Sequence, residues 1–343
     1  MSLQELWFFL WVLLWAVYFA LDGFDLGLGT LIPFISKTEK ERRVIYRSIG
    51  PFWDGNEVWL VAAGGITFAA FPGTYASMFS SLYAVLMLVL FGLIFRGVSV
   101  EFRGSVENKT WGKVWDYCMM AGSFLPAFFF GVTFANLFKG IPIGEDGVFR
   151  GSMFSFFNIY ALFGGLLFVL LFIFHGSIWL SIKSEKRLHA RAKSLSKKLM
   201  YPLVAAIVLF VLLTEVYTDL LDNYLKNPLL LVIPLIILIL PFYSRISIQK
   251  DRPWRAWFSS ALLIIATTFF GYIGMYPNLV LSSIDPKYNR TLYNSSSSPL
   301  TLKIMLIVVA VFIPLVILYQ IWTYSLFRGK VTEEELKEEG DIY

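Results

Sequence analysis

Apolar runs of roughly 20 residues recur along almost the whole chain, separated by short polar segments rich in lysine and arginine. A bilayer core about 30 Å thick is crossed by about 20 helical residues. The pattern therefore predicts nine transmembrane helices, at 6–34, 51–71, 75–97, 114–138, 153–181, 200–221, 228–244, 256–281 and 300–327. Several runs exceed the minimum length, so tilt or extension past the lipid is expected. Pro126, Pro234 and Pro314 fall inside runs and predict kinks rather than boundaries. Ser36 to Ile49 is basic and mildly amphipathic, which suits a helix lying along a membrane surface. The first apolar run is too long for a signal peptide, and no basic residue precedes it.

Composition agrees with this reading. Of 343 residues 57% are hydrophobic and only 15% charged, which excludes a soluble domain and points to an all-α polytopic membrane protein. The net charge of +5 does not point to nucleic acid, because its distribution is that of membrane orientation. Most of the 29 lysines and arginines lie in the segments after spans one, three, five and seven and in the C-terminal tail. Positive charge accumulates on the cytoplasmic side, so the N-terminus is expected outside and the C-terminus inside. The single cysteine, Cys118, cannot form an internal disulfide and reads as buried and inert. The 331–343 tail is acidic and reads as a short solvated helix or disorder, and 282–299 as an exposed outer loop.

Carboxylates inside the first two spans change the picture from architecture to chemistry. Each charge at mid-membrane costs about 2.5–3.5 kcal/mol, so Asp22, Asp25, Asp54 and Glu57 left bare would cost on the order of 10 kcal/mol. They must be protonated, paired, bound to a cation or hydrated inside protein. Asp22 and Asp25 are three apart and share one helix face, as do Asp54 and Glu57, with Asn56 beside them. Given the orientation, the four form a ladder in the cytoplasmic half of the membrane, suited to proton uptake or a monovalent cation. Gly23 and Gly27 have the spacing that lets another helix approach closely and exclude lipid from the acidic face. The plainer alternative, that Asp22 and Asp54 before glycine mark local backbone breaks, explains one residue more easily than all four.

Other polar positions carry less. Arg96 ends the third span and can pair with the ladder or serve only as a cytoplasmic anchor; Glu101 and Arg103 follow it. Glu215 and Asp219 near the end of span six read equally as an exit path or a solvated face, and Asp116 as interfacial. His175 is the one histidine inside a span, too few for a self-contained multi-heme or histidine-rich metal site, and reads as a packed, hydrogen-bonded residue. Trp53 and Trp59 flank the acidic motif as packing or as its wall. A weak internal repeat relates Phe19-Ala-Leu-Asp-Gly23 to Phe172-Ile-Phe-His-Gly176. With it, two four-helix bundles (1–138 and 139–281) followed by a ninth helix at 300–327 fit one transmembrane domain spanning 1–330.

Asp22-Gly-Phe-Asp-Leu-Gly27, Trp53-Asp-Gly-Asn-Glu-Val-Trp-Leu60, Ala63-Gly-Gly-Ile-Thr-Phe-Ala-Ala-Phe-Pro72 and Phe95-Arg-Gly-Val-Ser-Val-Glu-Phe-Arg103 resemble subunit II of the cytochrome bd quinol oxidases. Trp115-Asp116, Gly122 to Pro126, His175-Gly176, Ser298 to Thr301 and Pro314 to Tyr319 extend the resemblance over nearly the whole chain. The resemblance implies nine spans in two four-helix bundles plus a peripheral helix. It implies a partner, subunit I, that carries low-spin heme b, high-spin heme b and heme d and oxidises quinol, while this chain binds no heme. The complex reduces oxygen to water with protons taken from the cytoplasm of a bacterial or archaeal cell, and small accessory subunits, membrane lipid and quinone are further expected partners.

By motif, Asp22, Asp25 and Asp54 match acidic residues of a proton path or cation site near the subunit interface, with a monovalent cation at Asp25 and Asp54 as one option. Asn56 and Glu57 are carried over with them, although Glu57 departs from relatives that have Gln there; Trp53, Arg96 and Glu101 are supporting positions. The expected function is a required, noncatalytic oxidase subunit that stabilises subunit I and supplies part of the proton path. A stand-alone proton- or cation-coupled transporter and a purely structural scaffold are the alternatives.

Overall fold

The computed structural model describes residues 2–332, and they are predominantly helical. Twelve α-helices follow in order: α1 (Leu3–Ile35), α2 (Glu39–Ile49), α3 (Trp53–Ala70), α4 (Pro72–Ser81), α5 (Tyr83–Phe102), α6 (Lys109–Lys139), α7 (Ile159–Lys183), α8 (Lys186–Tyr217), α9 (Asp222–Lys226), α10 (Val232–Gln249), α11 (Pro253–Met275) and α12 (Pro299–Leu326). One small antiparallel pair, β1 (Asn278–Val280) with β2 (Arg290–Thr291), ties the 276–298 loop together. Most of the acidic tail, residues 333–343, lies outside the described residues, and with it the expected tail helix.

Among the described residues eight helices are long and apolar enough to cross a bilayer: α1, α5, α6, α7, α8, α10 with its 3-10 lead-in, α11 and α12. The second expected span is α3, which is not in this set because Asp54, Asn56 and Glu57 lower its hydropathy. Its 18 residues still reach about 27 Å. The other limits shift. The expected 75–97 span divides at Leu82 into α4 and α5. The span expected from 200 begins at Lys186, because the basic stretch before the apolar run is made of good helix formers and continues the helix into solvent. Pro126 and Pro314 do lie inside helices, but Pro234 sits in the first turn of α10, where proline is tolerated; Pro33, Pro202 and Pro241 are further interior prolines.

α1 is the central element, packed against α3, α6, α7 and α11. Around it α5 packs on α6, and α7, α8, α10 and α11 contact one another in a ring. The close approach expected at Gly23 and Gly27 is made by α7. A side-chain carbon on Gly27 would lie 1.8 Å from the Phe172 carbonyl oxygen, and one on Gly176 only 2.8 Å from the Phe24 carbonyl oxygen. No other residue fits at either place. The core is aromatic, with Trp15, Phe19, Phe130 and Phe134 packed edge to face. Cys118 is half-buried rather than fully enclosed.

α12 stands apart, its apolar surface almost wholly exposed. It is fastened by polar hooks together with a narrow packed edge, where Leu302 is buried and Tyr324 lies on the Phe52 ring. Trp7 Nε1 donates to the Leu302 carbonyl at 3.0 Å, Trp59 Nε1 to Gln320 Oε1 at 2.9 Å, and Lys183 Nζ to the Phe327 carbonyl. α2 is tied in by charge: Arg191 meets Glu41 at 2.5 Å, while Glu39 and Arg42 meet Arg103 and Asp116. Asp116, read from sequence as interfacial, is nearly buried and accepts from Arg103 Nε at 2.7 Å.

Candidate functional site

α1, α3, α5 and α12 converge on one buried polar cluster. Arg96 of α5 is fully enclosed and reaches two carboxylates at once. Its Nη1 lies 2.7 Å from Asp22 Oδ1 on α1, and its Nη2 pairs with Glu57 Oε1 on α3. Asp22 is equally buried, whereas a quarter of the Glu57 side chain remains exposed. A lone buried guanidinium is prohibitive, and a fork that binds two carboxylates offsets that cost.

One turn along α1, Asp25 is also fully buried but does not touch the guanidinium. Asn56 Nδ2 donates to Asp25 Oδ2 at 2.7 Å and to the Leu21 carbonyl at 3.2 Å. The hydroxyl of Tyr324 on α12 donates to Asn56 Oδ1 at 3.0 Å. That bond fixes the amide orientation, since an amide whose oxygen accepts from tyrosine must turn its NH2 to Asp25. Gln320, one turn before Tyr324, donates to the Gly55 carbonyl at 3.0 Å and so anchors the start of α3.

Two properties make the cluster chemically unusual. First, the cluster holds three carboxylates and one guanidinium, which pairs with only Asp22 and Glu57, so a fully ionised cluster carries surplus negative charge in a low-dielectric interior. Protons, or a cation from elsewhere, neutralise such a surplus. Second, Asp25 Oδ1 and Arg96 Nε are buried without a hydrogen-bond partner among the described residues, and the Tyr18 hydroxyl has only Asp22 beside it. Buried polar atoms nearly always have partners, so Asp25 Oδ1 and Arg96 Nε mark where water or another subunit completes the network.

The cluster contains Asp22, Asp25, Asn56, Glu57 and Arg96, five of the positions singled out in the sequence. Trp53 stands beside it, its ring 3.2 Å from where a side chain on Gly97 would begin. Asp54 and Glu101 are not in it; both are exposed on the chain surface. The shared face expected for Asp54 and Glu57 is therefore split, Glu57 turning to Arg96 and Asp54 outward, and Asp54 has no contact with Asp25. Tyr18, Gln320 and Tyr324 were not anticipated. The available signal was Gln320, the one amide in the apolar run of α12. Glu215 and Asp219 are exposed at the end of α8.

The second polar centre lies on the opposite flank of α1. His175 is fully buried, its Nε2 3.0 Å from the Ala20 carbonyl and its Nδ1 2.7 Å from Ser260 Oγ. A carbonyl only accepts, so Nε2 carries the proton, while Nδ1 meets a Ser260 hydroxyl that is also 2.9 Å from the Trp257 carbonyl. His175 has no ring nitrogen left for iron, and His189 lies at the polar start of α8 with Nδ1 2.7 Å from the Ser181 carbonyl. Among the described residues no three His, Cys, Asp or Glu side chains converge as a metal site.

Comparison with known proteins gives a consistent result. The profile of the family described as cytochrome bd terminal oxidase subunit II matches residues 3–327. The chain is 36% identical over 335 residues to cytochrome bd ubiquinol oxidase subunit 2 of Bacillus subtilis (strain 168), covering 97% of this chain and 98% of that protein. It is 31% identical over 364 residues to cytochrome bd-I ubiquinol oxidase subunit 2 of Escherichia coli (strain K12), covering 96% of each. A chain in the structure of the bd oxidase from Geobacillus thermodenitrificans shares the fold, with a TM-score of 0.75 at 17% identity over 95% of this chain and 99% of that one.

Proposed function

The chain belongs to the cytochrome bd terminal oxidase subunit II family, and from that premise we propose that it is the heme-free subunit that stabilises a heme-bearing subunit I and passes protons toward it. It is a multi-pass membrane component of a terminal quinol oxidase that works with a partner subunit. The finer assignments are our reading. Low-spin heme b, high-spin heme b and heme d, and the site of quinol oxidation, belong to the partner. The basic ends of the helices face the cytoplasm, the N-terminus faces outward, and the helices around α1 group as two four-helix bundles with α12 peripheral.

The observation that carries the proposal is the gathering of three carboxylates, Asp22, Asp25 and Glu57, around one guanidinium that pairs with only Asp22 and Glu57 and leaves Asp25 to the Asn56 amide. A purely structural ion pair needs one acid and one base; a surplus of acids stores protons. Glu57 is the group that opens outward. Beside it Asp54, Val58 and Val61 are exposed on α3. Carboxylates do not face hydrocarbon, so this face is best suited to lie against subunit I. The order Glu57, the Arg96 pair and Asp25 then makes a short relay of titratable groups between that face and the interior. Tyr324 and Asn56 hold Asp25 in place. Asp54 at the mouth of the relay has the chemistry of an entry group or of one ligand to a monovalent cation.

The assignment is tested by purifying this chain in mild detergent from its own membranes. A larger co-purifying subunit, heme absorption and quinol-driven oxygen consumption are expected together. A colourless, partner-free protein that moves solute by itself would support the transporter alternative instead.

A further inference from the structure

Where α5 stops and α6 starts, five cations crowd one cavity. Arg42 and Arg43 come from α2, Arg103 from the end of α5, and Lys109 and Lys113 from the start of α6. The cavity measures about 390 Å³, within the range of small-molecule sites. The Tyr46 ring lies 4.9 Å from the Arg103 guanidinium. Two carboxylates, Glu39 and Glu107, also line the cavity.

The arginines are held in a fixed frame. Arg103 binds Asp116 at 2.7 Å and Glu39 at 2.8 Å. Arg42 lies 3.3 Å from Asp116 and 3.6 Å from Glu39, and Arg43 lies 3.9 Å from Glu39. The two lysines have no such carboxylate among the described residues. Lys109 is the first residue of α6, Lys113 is four residues on, and the first turn of α6 contains no acidic residue. Cations at a helix N-terminus oppose the macrodipole, and like charges four apart repel. Both placements cost stability unless an anion sits above them.

Depth selects the anion. α5 and α6 are membrane-spanning helices, so a cavity at their shared end lies at headgroup level. Trp111 and Trp115, with ring centroids 5.5 Å apart, stand at the same level, as interfacial tryptophans do. Along α6 toward the membrane, Val114 and Tyr117 are exposed and offer apolar surface to an acyl chain. We propose that this cavity binds the phosphodiester headgroup of an anionic phospholipid. The proposal rests on the cytoplasmic placement of the basic helix ends given above.

The test uses the whole oxidase complex with Lys109→Gln and Lys113→Gln combined, reconstituted in phosphatidylcholine vesicles with and without phosphatidylglycerol. Lipid retained after re-extraction is measured by mass spectrometry, and the melting midpoint is recorded. The wild type is expected to retain phosphatidylglycerol and melt higher with it. The double variant should retain roughly thirty-fold less, the weight of two interfacial cations, and lose the lipid-dependent rise. Equal retention by both proteins would overturn the proposal. A melting rise produced by inorganic phosphate alone would move the site to a soluble anion and overturn the lipid assignment. Should the glutamine variant fail to assemble, Lys109→Arg with Lys113→Arg must keep retention, and wild-type retention must fall with salt; failure of either overturns the proposal. Quinol-driven oxygen uptake by the wild type reports on the assigned function separately from lipid retention.

Discussion

α1 and α7 cross at the centre of the molecule and solve one packing problem with two kinds of polar residue. The sequences Asp22-Gly23 and His175-Gly176 occupy matching places in the weak internal repeat. The glycines serve the same purpose, since at Gly23, Gly27 and Gly176 the facing helix leaves no room for a side chain. The polar residues differ. His175 spends both nitrogens on Ser260 and the Ala20 carbonyl, so nothing is left over. Asp22 belongs to a charged group in which acids outnumber bases and Asp25 Oδ1 and Arg96 Nε lack partners. A buried polar residue whose partners match its capacity holds helices together. One whose cluster carries surplus charge is retained at a cost in stability, and such a cost marks function.

The contrast can be broken by substitution. The largest effect is expected for Arg96→Leu, which strands Asp22 and Glu57 without a cation. Removing one member of a buried ion pair costs about 3–5 kcal/mol, so little assembled complex should be recovered from membranes. Adding Asp22→Asn and Glu57→Gln should restore assembly without restoring turnover; full activity in that triple variant would show the cluster to be structural. Next comes Asp25→Asn, which keeps the hydrogen-bonding shape but removes the acid. Oxygen uptake should fall on the order of 10²-fold, as when a positioned proton carrier is lost, with the heme spectrum unchanged.

His175→Gln makes the opposite prediction. Losing one of two buried hydrogen bonds should cost about 1–3 kcal/mol and lower the melting midpoint, while turnover per heme stays at the wild-type level. A turnover defect as large as that of Asp25→Asn would erase the distinction between the two flanks of α1.

The smallest effect concerns α2. Burial would raise the Glu41 carboxyl, but hydrogen bonds from Arg191, Lys37 and Thr38 outweigh it and hold it below the ordinary range. A carboxyl lowered in the folded state contributes stability above its unfolded value, near pH 4.3 in model peptides, and loses that contribution as pH falls through the folded value. The melting difference between wild type and Arg191→Gln should therefore be present at neutral pH and close below about pH 4. A difference independent of pH would mean that Arg191 acts by packing.

Much of this contrast was legible in the sequence because its ingredients are local. Apolar run length marked the spans, Gly23 and Gly27 marked the close helix contact, and acids in apolar runs marked the site. Arg96 was visible as a candidate partner because it ends an apolar span near the acids, although anchoring at the membrane surface was an equal alternative. The fates of Asp54 and Glu57 were not legible. Spacing of three puts both on one face, but an arc that wide includes directions toward Arg96 and directions away from the chain. Tyr324 and Gln320 were missed for a different reason: their partners Asn56, Trp59 and Gly55 lie more than 250 residues earlier. No periodicity within one helix reports such contacts. The basic start of α8 at Lys186 was missed because hydropathy measures the membrane, and a helix does not end where the membrane does.

The account stands on the claim that the Asp22–Arg96–Glu57–Asp25 cluster carries protons. The direct measurement is quinol-triggered proton uptake from the basic side of vesicles containing the complex, followed with a pH indicator in wild type and Asp25→Asn. The account predicts that the variant keeps its hemes and still accepts electrons, while proton uptake slows in step with oxygen consumption. Wild-type proton uptake in a fully assembled Asp25→Asn complex would contradict it and leave the cluster a structural one.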